Sequence, residues 1–292
     1  MKVLTRNIRG LGQASKKDAV RAFTHKLSPT ILALLETKLL DLDLQLIHQV
    51  WGRRTWQWVS RPSFGASGGI WVVSDASDLS LISQFTGEFS ITLLLFNITD
   101  GVSWKFLAVY GPNSNTIRQR FWAKLDHIAY LPHPIWCVGG AFNVVCWSHE
   151  RNSSSSISPE MRDFSDFISH NELIDIPLQG CKFTGSNHSS NPPISKLDRF
   201  LISANWEEHF PRSLSMALPK LTLDHCPILL DTNAVNRGLR PFRFELHWLL
   251  EKDLPALVQS WWSSFDSQVS GRVGFVLQRK IQFLKRGFQI LE

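Results

Sequence analysis

Six places in the sequence set an unusual polar side chain where a short apolar run gives way to turn residues. They are Asn7, Glu36, Tyr110 ahead of Gly111-Pro112-Asn113, Asn143 at the end of Gly139-Gly140-Ala141-Phe142-Asn143, Asp198, and the pair Asp224-His225. Loops at strand ends are where α/β folds collect reactive groups. A carboxylate can hold a hard divalent ion such as Mg²⁺ through oxygen. Asn and Tyr can donate hydrogen bonds to phosphate oxygens as charge develops on them. A His with an Asp partner works as an acid or base near neutral pH. That inventory suits phosphodiester hydrolysis. Singly, each residue has a plainer role: an Asn after a strand is commonly a turn residue, Glu36 can cap a strand at the surface, and His225 can be a satisfied core histidine.

The elements that must position these groups are mostly strands. Lys2–Arg6 is short and apolar-rich, and Lys16–Leu27 places Val20, Phe23 and Leu27 on one helical face before Pro29. Ile31–Leu35 reads as a fully buried strand that delivers Glu36. Gly68-Gly69 leads into Ile70–Val73, and Leu79–Phe85, Ile91–Ile98 and Trp104–Val109 are three further β-rich runs. Helices are predicted over Arg118–Ile128 and Glu160–Ser169, with a buried strand Ile135–Val138 between them. Short strands follow near Phe183, at Leu197–Ile202 and at Pro227–Leu230. Strands placed back to back exclude a simple alternating βαβ sheet and favour a mixed-sheet sandwich with helices outside. After Asp231 the texture changes: 232–240 is polar, and Leu254–Phe265 and Phe275–Leu291 look helical. The reading is therefore a domain over 1–231 and a linker with a helical extension over 232–292, ending inside a helical pattern as part of something longer would.

Composition permits a nucleic-acid partner without requiring one. The net charge of +6, with basic pairs at Lys16-Lys17 and Arg53-Arg54, favours encounters with polyanions. The 12 tryptophans are expected to fill core more often than to stack on bases. Cys137, Cys146, Cys181 and Cys226 form no CxxC pair, which excludes a zinc knuckle and a redox motif and points to free thiols in a reducing compartment. The start, Met1-Lys2-Val3-Leu4-Thr5-Arg6, turns polar too soon for a signal peptide, and no run reaches the ~20 apolar residues of a membrane span. The expectation is an intracellular protein, nuclear or cytoplasmic, with no membrane partner.

The order of the motifs resembles one family. Thr5-Arg6-Asn7-Ile8-Arg9-Gly10 resembles a WN[IV]RG opening, and Leu35-Glu36-Thr37-Lys38 resembles QETK. Val109-Tyr110-Gly111-Pro112-Asn113 with Arg120-Phe121-Trp122 is similar to VYGPN…R..FW, and Trp136–Asn143 to WCLGGDFN. Lys182-Phe183-Thr184, Leu197-Asp198-Arg199-Phe200-Leu201 and Asp224-His225-Cys226-Pro227-Ile228 complete the series. By these motifs the chain resembles the endonuclease–exonuclease–phosphatase domain of plant LINE-type non-LTR retrotransposons, relatives of abasic-site endonucleases. Pro241-Phe242-Arg243-Phe244-Glu245 resembles the linker before a reverse transcriptase, so a downstream reverse transcriptase is an implied partner. The resemblance implies a four-layered α-β-β-α sandwich of two mixed sheets and a Mg²⁺-dependent endonuclease acting on DNA, with Mn²⁺ as a substitute metal. It implies Glu36 as the main metal ligand with Asn7 beside it, and Asp224 at the metal and phosphate site. Tyr110 and Asn143 would contact the scissile phosphate, Asp198 would orient His225, and Thr184 would touch DNA near the cut.

The pattern breaks at one central position. Ala141 stands where the family's GGDFN motif has the aspartate assigned to the attacking water. An alanine cannot accept a proton. Removing a group that contributes on the order of 4 kcal/mol to the transition state slows turnover about a thousandfold. Arg6 also replaces the usual tryptophan, Leu223 the usual serine, and Gly185 a tryptophan common in the plant branch. The resulting expectation is a degenerate DNA-nicking endonuclease. The alternatives are a non-catalytic DNA-binding shell of the same fold and a phosphomonoesterase of the same superfamily.

Overall fold

The computed structural model describes residues 1–40, 44–52, 55–64, 67–152, 157–186, 194–219, 225–234, 252–264 and 284. Along the chain, β1 (Lys2–Asn7) is followed by α1 (Ala14–Leu27), β2 (Ile31–Leu35), α2 (Leu44–Trp51), β3 (Gln57–Phe64) and β4 (Ser67–Ser74). Next come β5 (Leu79–Thr86), β6 (Ser90–Asn97), β7 (Ser103–Tyr110), α3 (Asn115–Ala129), β8 (Trp136–Ala141) and α4 (Pro159–His170). The short strands β9 (Leu173–Asp175), β10 (Leu178–Gln179), β11 (Gly185–Ser186) and β12 (Ile194–Ser195) precede β13 (Asp198–Ser203). Then come α5 (Ala204–His209), β14 (Leu214–Ala217), β15 (Ile228–Asp231) and α6 (Leu254–Ser264).

The strands pair into two mixed sheets. One is seven-stranded, in the order β10-β14-β15-β1-β2-β4-β3; the other is six-stranded, in the order β5-β6-β7-β8-β13-β9. Besides the short β10, which runs parallel to β14, each sheet holds one parallel pair of longer strands, β1 with β2 and β7 with β8. A parallel pair needs a long crossover, and α1 and α3 supply them. Side chains alternate across each strand, so every sheet buries two faces. Val3, Ala33, Leu35, Phe106, Ala108, Cys137 and Phe200 meet between the sheets. Leu4, Leu32 and Leu34 turn the other way, onto Val20 and Phe23 of α1 and Ile47 of α2. Leu107, Val138 and Leu201 likewise pack on Phe121 and Trp122 of α3 and Phe164 and Phe167 of α4. This is the α-β-β-α sandwich expected from the motif resemblance. Trp51, Trp71, Trp104 and Trp206 are fully buried, so they belong to the core.

Several elements escape the sequence patterns: α2, β3, α5 and the short strands β9, β10, β12 and β14. Leu44–Trp51 is a helix of 8 residues, too short to show sustained periodicity. Gln57–Phe64 contains Pro62, which argues against a central strand; β3 is an edge strand and pairs with β4 alone. The strand predicted near Phe183 lies at Gly185–Ser186, paired antiparallel with Ile194–Ser195.

The contacts divide the chain into two units, Met1–Val235 and Asn236–Glu292. In the second, α6 buries Leu254, with Val258, Trp261 and Leu284 against it. The predicted helix Phe275–Leu291, apart from Leu284, lies outside the described residues, as do Arg53-Arg54, Leu223 and Pro241–Glu245. Among the described residues no helix is long and apolar enough to cross a membrane.

Candidate active site

The ends of β1, β2, β7 and β8 and the start of β13 bring the predicted groups to one edge of the sandwich. Asn7 is the last residue of β1, in register with Leu35, so Glu36 follows one residue beyond on the neighbouring strand. The turn after β1 is fastened by the Lys16 ammonium, which donates to the carbonyls of Ile8 (3.0 Å) and Arg9 (2.8 Å). The Arg9 amide donates to Asn7 Oδ1 at 3.2 Å. The Glu36 turn is braced by β4: the Thr37 and Lys38 amides donate to the carbonyls of Gly69 and Gly68, each at 3.1 Å. Gly69 has φ +85°, and a Cβ there would lie 2.4 Å from Thr37 Oγ1, so only glycine lets the two turns approach this closely.

On the second sheet the register places three positions side by side. Ala141 pairs with Tyr110 on β7 and with Asp198 on β13. Residues in register on adjacent strands share a face, so the Ala141 methyl stands between Tyr110 and Asp198 and is 0% exposed. Asn143 follows with φ 55°, a left-handed conformation that Asn tolerates; its Nδ2 donates to the Gly111 carbonyl at 2.7 Å. Of the seven non-glycine residues with positive φ among those described, Arg9, Glu36, Lys38 and Asn143 all lie in these turns. Such conformations cost on the order of 1–3 kcal/mol each and cluster where a fold holds side chains for use.

Groups carried by the two sheets act on one another electrostatically. Burial, the Glu36 charge and a hydrogen bond with Glu36 push the Tyr110 phenol well above its usual range, with a hydrogen bond to Asn143 acting the other way. Tyr110 is therefore a neutral hydroxyl, able to donate. His225 Nδ1 lies 2.8 Å from Asp198 Oδ2, and the imidazole is 2% exposed. A carboxylate only accepts, so Nδ1 carries the proton and Nε2 is left for chemistry. Burial opposes a charged imidazole, but the adjacent Asp198 carboxylate, with Glu36 adding to it, raises the His225 pKa above its ordinary value. Arg9 acts on Tyr110 and on His225 alike. Lys38 Nζ lies 3.4 Å from Glu36 Oε1.

Seven of the predicted residues therefore converge, counting Ala141: Asn7, Glu36, Tyr110, Ala141, Asn143, Asp198 and His225. Asp224 lies outside the described residues. Thr184 is brought to the site by another route than the sequence reading assumed. It is 1% exposed, and its hydroxyl accepts from the Leu197 and Asp198 amides, each at 2.9 Å. Several supports carry no sequence signal at all. Arg118, in the first turn of α3, donates to the carbonyls of Pro112 (3.0 Å) and Asn143 (3.3 Å) and so clasps the turns after β7 and β8 together. Glu150 accepts from the Cys146 amide at 2.7 Å and pairs with the fully buried Arg199 at 2.8 Å, tying the loop after Asn143 to β13. Asp175 and Lys196 extend that network. A lone Glu or Arg between motifs shows its partner only in three dimensions.

The donor set fits a hard cation. Glu36 offers carboxylate oxygen and Asn7 an amide oxygen, and Mg²⁺ commonly takes one or two carboxylates and keeps water. Among the described residues no group of three or more His, Cys, Asp or Glu side chains converges to hold a metal.

A family model for the Endonuclease/Exonuclease/phosphatase family matches residues 4–264, and the chain belongs to that family. Solved structures agree on the fold. The 3′ phosphatase NExo from Neisseria has a TM-score of 0.64 at 18% identity, covering 79% of this chain and 98% of that one. The AP endonuclease LMAP from Leishmania major has a TM-score of 0.64 at 19% identity, covering 78% and 86% respectively. The endonuclease domain of TRAS1, a telomere-specific non-LTR retrotransposon, has a TM-score of 0.61 at 12% identity, covering 80% and 99%. No curated protein matches the chain.

Proposed function

We propose that this chain is a Mg²⁺-dependent DNA endonuclease domain of the target-nicking kind found in plant LINE-type retrotransposons, with turnover cut by Ala141. The observation that carries the reading is the placement of Ala141 in register between Tyr110 and Asp198, at the centre of an otherwise assembled hydrolytic cluster. The motif order supports the retrotransposon lineage, and the solved structures of similar fold include a retrotransposon endonuclease domain. A reverse transcriptase downstream and a nuclear or cytoplasmic site of action belong to the same reading.

The chain's own residues divide the work as follows. The Tyr110 hydroxyl and the Asn143 amide donate to non-bridging phosphate oxygens and stabilise charge as it builds there. Asp198 fixes the His225 tautomer and keeps Nε2 aimed at the phosphate, where a protonated ring donates to an oxygen and a neutral one accepts a proton. Glu36, with Asn7 beside it, would hold Mg²⁺, which supplies Lewis-acid polarisation of the phosphate when bound. The Ala141 methyl can neither accept a proton nor hold water, so activation of the nucleophile is the missing function.

A second reading has one observation in its favour. Lys38 Nζ sits 3.4 Å from Glu36 Oε1, placing a cation of the chain's own at the carboxylate a metal would use. That suits a shell that binds the DNA backbone without turnover.

Nicking of supercoiled plasmid in Mg²⁺ separates these readings. The Ala141→Asp variant is expected to nick roughly a thousandfold faster than the native chain. Equal rates would refute the claim of impairment. If neither chain nicks while both shift DNA in a salt-sensitive way, the binding shell is correct. Hydrolysis of a soluble phosphate ester without nicking would point to a phosphomonoesterase.

A further inference from the structure

Asp198 and His225 are 27 positions apart in sequence, yet their side chains meet at 2.8 Å and are nearly sealed from solvent. A contact of that length requires both backbones to be held, and one residue touches both. The Thr184 hydroxyl accepts from the Asp198 amide and from the Leu197 amide before it, each at 2.9 Å. The Thr184 carbonyl accepts from the Cys226 amide, directly after His225, at 2.7 Å. Its amide donates to the Ser195 carbonyl at 3.0 Å. Gly185, next in the chain, bridges His225 antiparallel, and a Cβ on Gly185 would lie 3.0 Å from the imidazole Cε1.

A hydroxyl oxygen has two lone pairs, and both are taken by amides here. With 1% exposure, Thr184 has no surface to offer a DNA strand. We propose that Thr184 is a positioning residue for the His225–Asp198 pair: one side chain sets the turn that aims Asp198, while the same residue's carbonyl anchors the backbone directly after His225. The inference rests on reading that pair as part of the hydrolytic site, but the bracing is a property of the folded chain with or without turnover. Losing the hydroxyl would strand two buried amides and release the turn at Asp198. A serine keeps the oxygen. A valine keeps the shape and loses the acceptor.

The test is the low-field proton resonance of His225 Nδ1–H in the full chain without DNA or metal, assigned by its disappearance in His225→Gln. In the native chain and in Thr184→Ser this proton should exchange slowly with water. In Thr184→Val its exchange should accelerate roughly tenfold or more, with the amide pattern of the second sheet retained. An unchanged resonance in Thr184→Val would overturn the proposal, as would weakened DNA binding in that variant with the resonance intact, which would return Thr184 to a direct DNA contact. Should Thr184→Val not fold, amide exchange decides. The Leu197 and Asp198 amides must be protected in both the native chain and Thr184→Ser, and unprotected amides there refute the bracing. A chain that never nicks DNA still gives the predicted spectra, so failure of the nuclease reading and failure of this one are told apart.

Discussion

Arg6 offers the most direct check on how the first sheet is packed. It lies on β1 in register with Leu34, on the face that meets α1, and is 2% exposed. None of its three guanidinium nitrogens has a hydrogen-bond partner among the described residues. Its guanidinium carbon lies 5.3 Å from the centre of the Phe23 ring. Burial lowers its pKa from 12.5 to about 10, which corresponds to about 3 kcal/mol against the charged form. An independent route gives a similar size, since leaving a buried charged donor unsatisfied costs ~1–3 kcal/mol or more. Against this, the contact with Phe23 returns about 1 kcal/mol. Arg6→Met keeps an unbranched chain of similar reach without the charge, and so should stabilise the domain by about 2 kcal/mol. For a unit of this size that is a rise of roughly 4–8 °C in melting temperature. Urea unfolding followed by tryptophan fluorescence should show a higher midpoint at unchanged slope. A variant less stable than the native chain would refute the reasoning and show that the guanidinium is solvated or paired.

The buried ion pair predicts the opposite response. Arg199→Met strands Glu150 in the core and should cost about 3–5 kcal/mol in the same unfolding experiment. Adding Glu150→Gln, which keeps an acceptor for the Cys146 amide without the charge, should recover about half of that loss; no recovery would mean that the pair's charge is not the issue. His225 predicts a pH dependence. Its folded pKa is raised, so the stability it contributes is fully present below about pH 6.5 and is lost as pH rises through the folded value. Melting temperatures taken from pH 6 to 9 should fall more steeply for the native chain than for His225→Gln, and parallel profiles would count against the pairing with Asp198.

The sequence made legible those parts of the fold and site that local rules determine. Ile31–Leu35 is apolar throughout and buried throughout, so its strand and the Glu36 it delivers could be placed by inspection. The same holds for the start of Trp136–Ala141, predicted as Ile135–Val138, whereas Gly139-Gly140-Ala141 continues the strand where the sequence suggests a turn. What escaped depends on partners distant in the chain. Pro62 forbids a central strand, and only the sheet order shows that β3 is an edge. Thr184 could be matched to a motif but not to a role, because its role is set by two amides 13 and 14 residues away. Arg118, Glu150 and Arg199 look like surface charges until packing removes their solvent.

The same distinction explains how the site can keep its shape around Ala141. Tyr110 and Asp198 are fixed by strand register on either side of position 141, not by the side chain between them. His225 is fixed from beyond, through Asp198 and the Thr184 carbonyl. A methyl group at the centre joins the apolar cluster between the sheets and leaves no acceptor unsatisfied. An aspartate there would add a buried carboxylate in register with Asp198, and neighbouring like charges disfavour one another unless a cation lies among them. The substitution that removes the proposed nucleophile-activating group therefore removes a folding cost as well. A fold selected or drifting for stability alone would accept alanine at this position before it accepted any change at Gly140, where φ is +144° and a Cβ would meet the Val109 carbonyl oxygen at 2.2 Å. The intact scaffold around Ala141 is thus what the proposed loss of turnover, without loss of fold, requires.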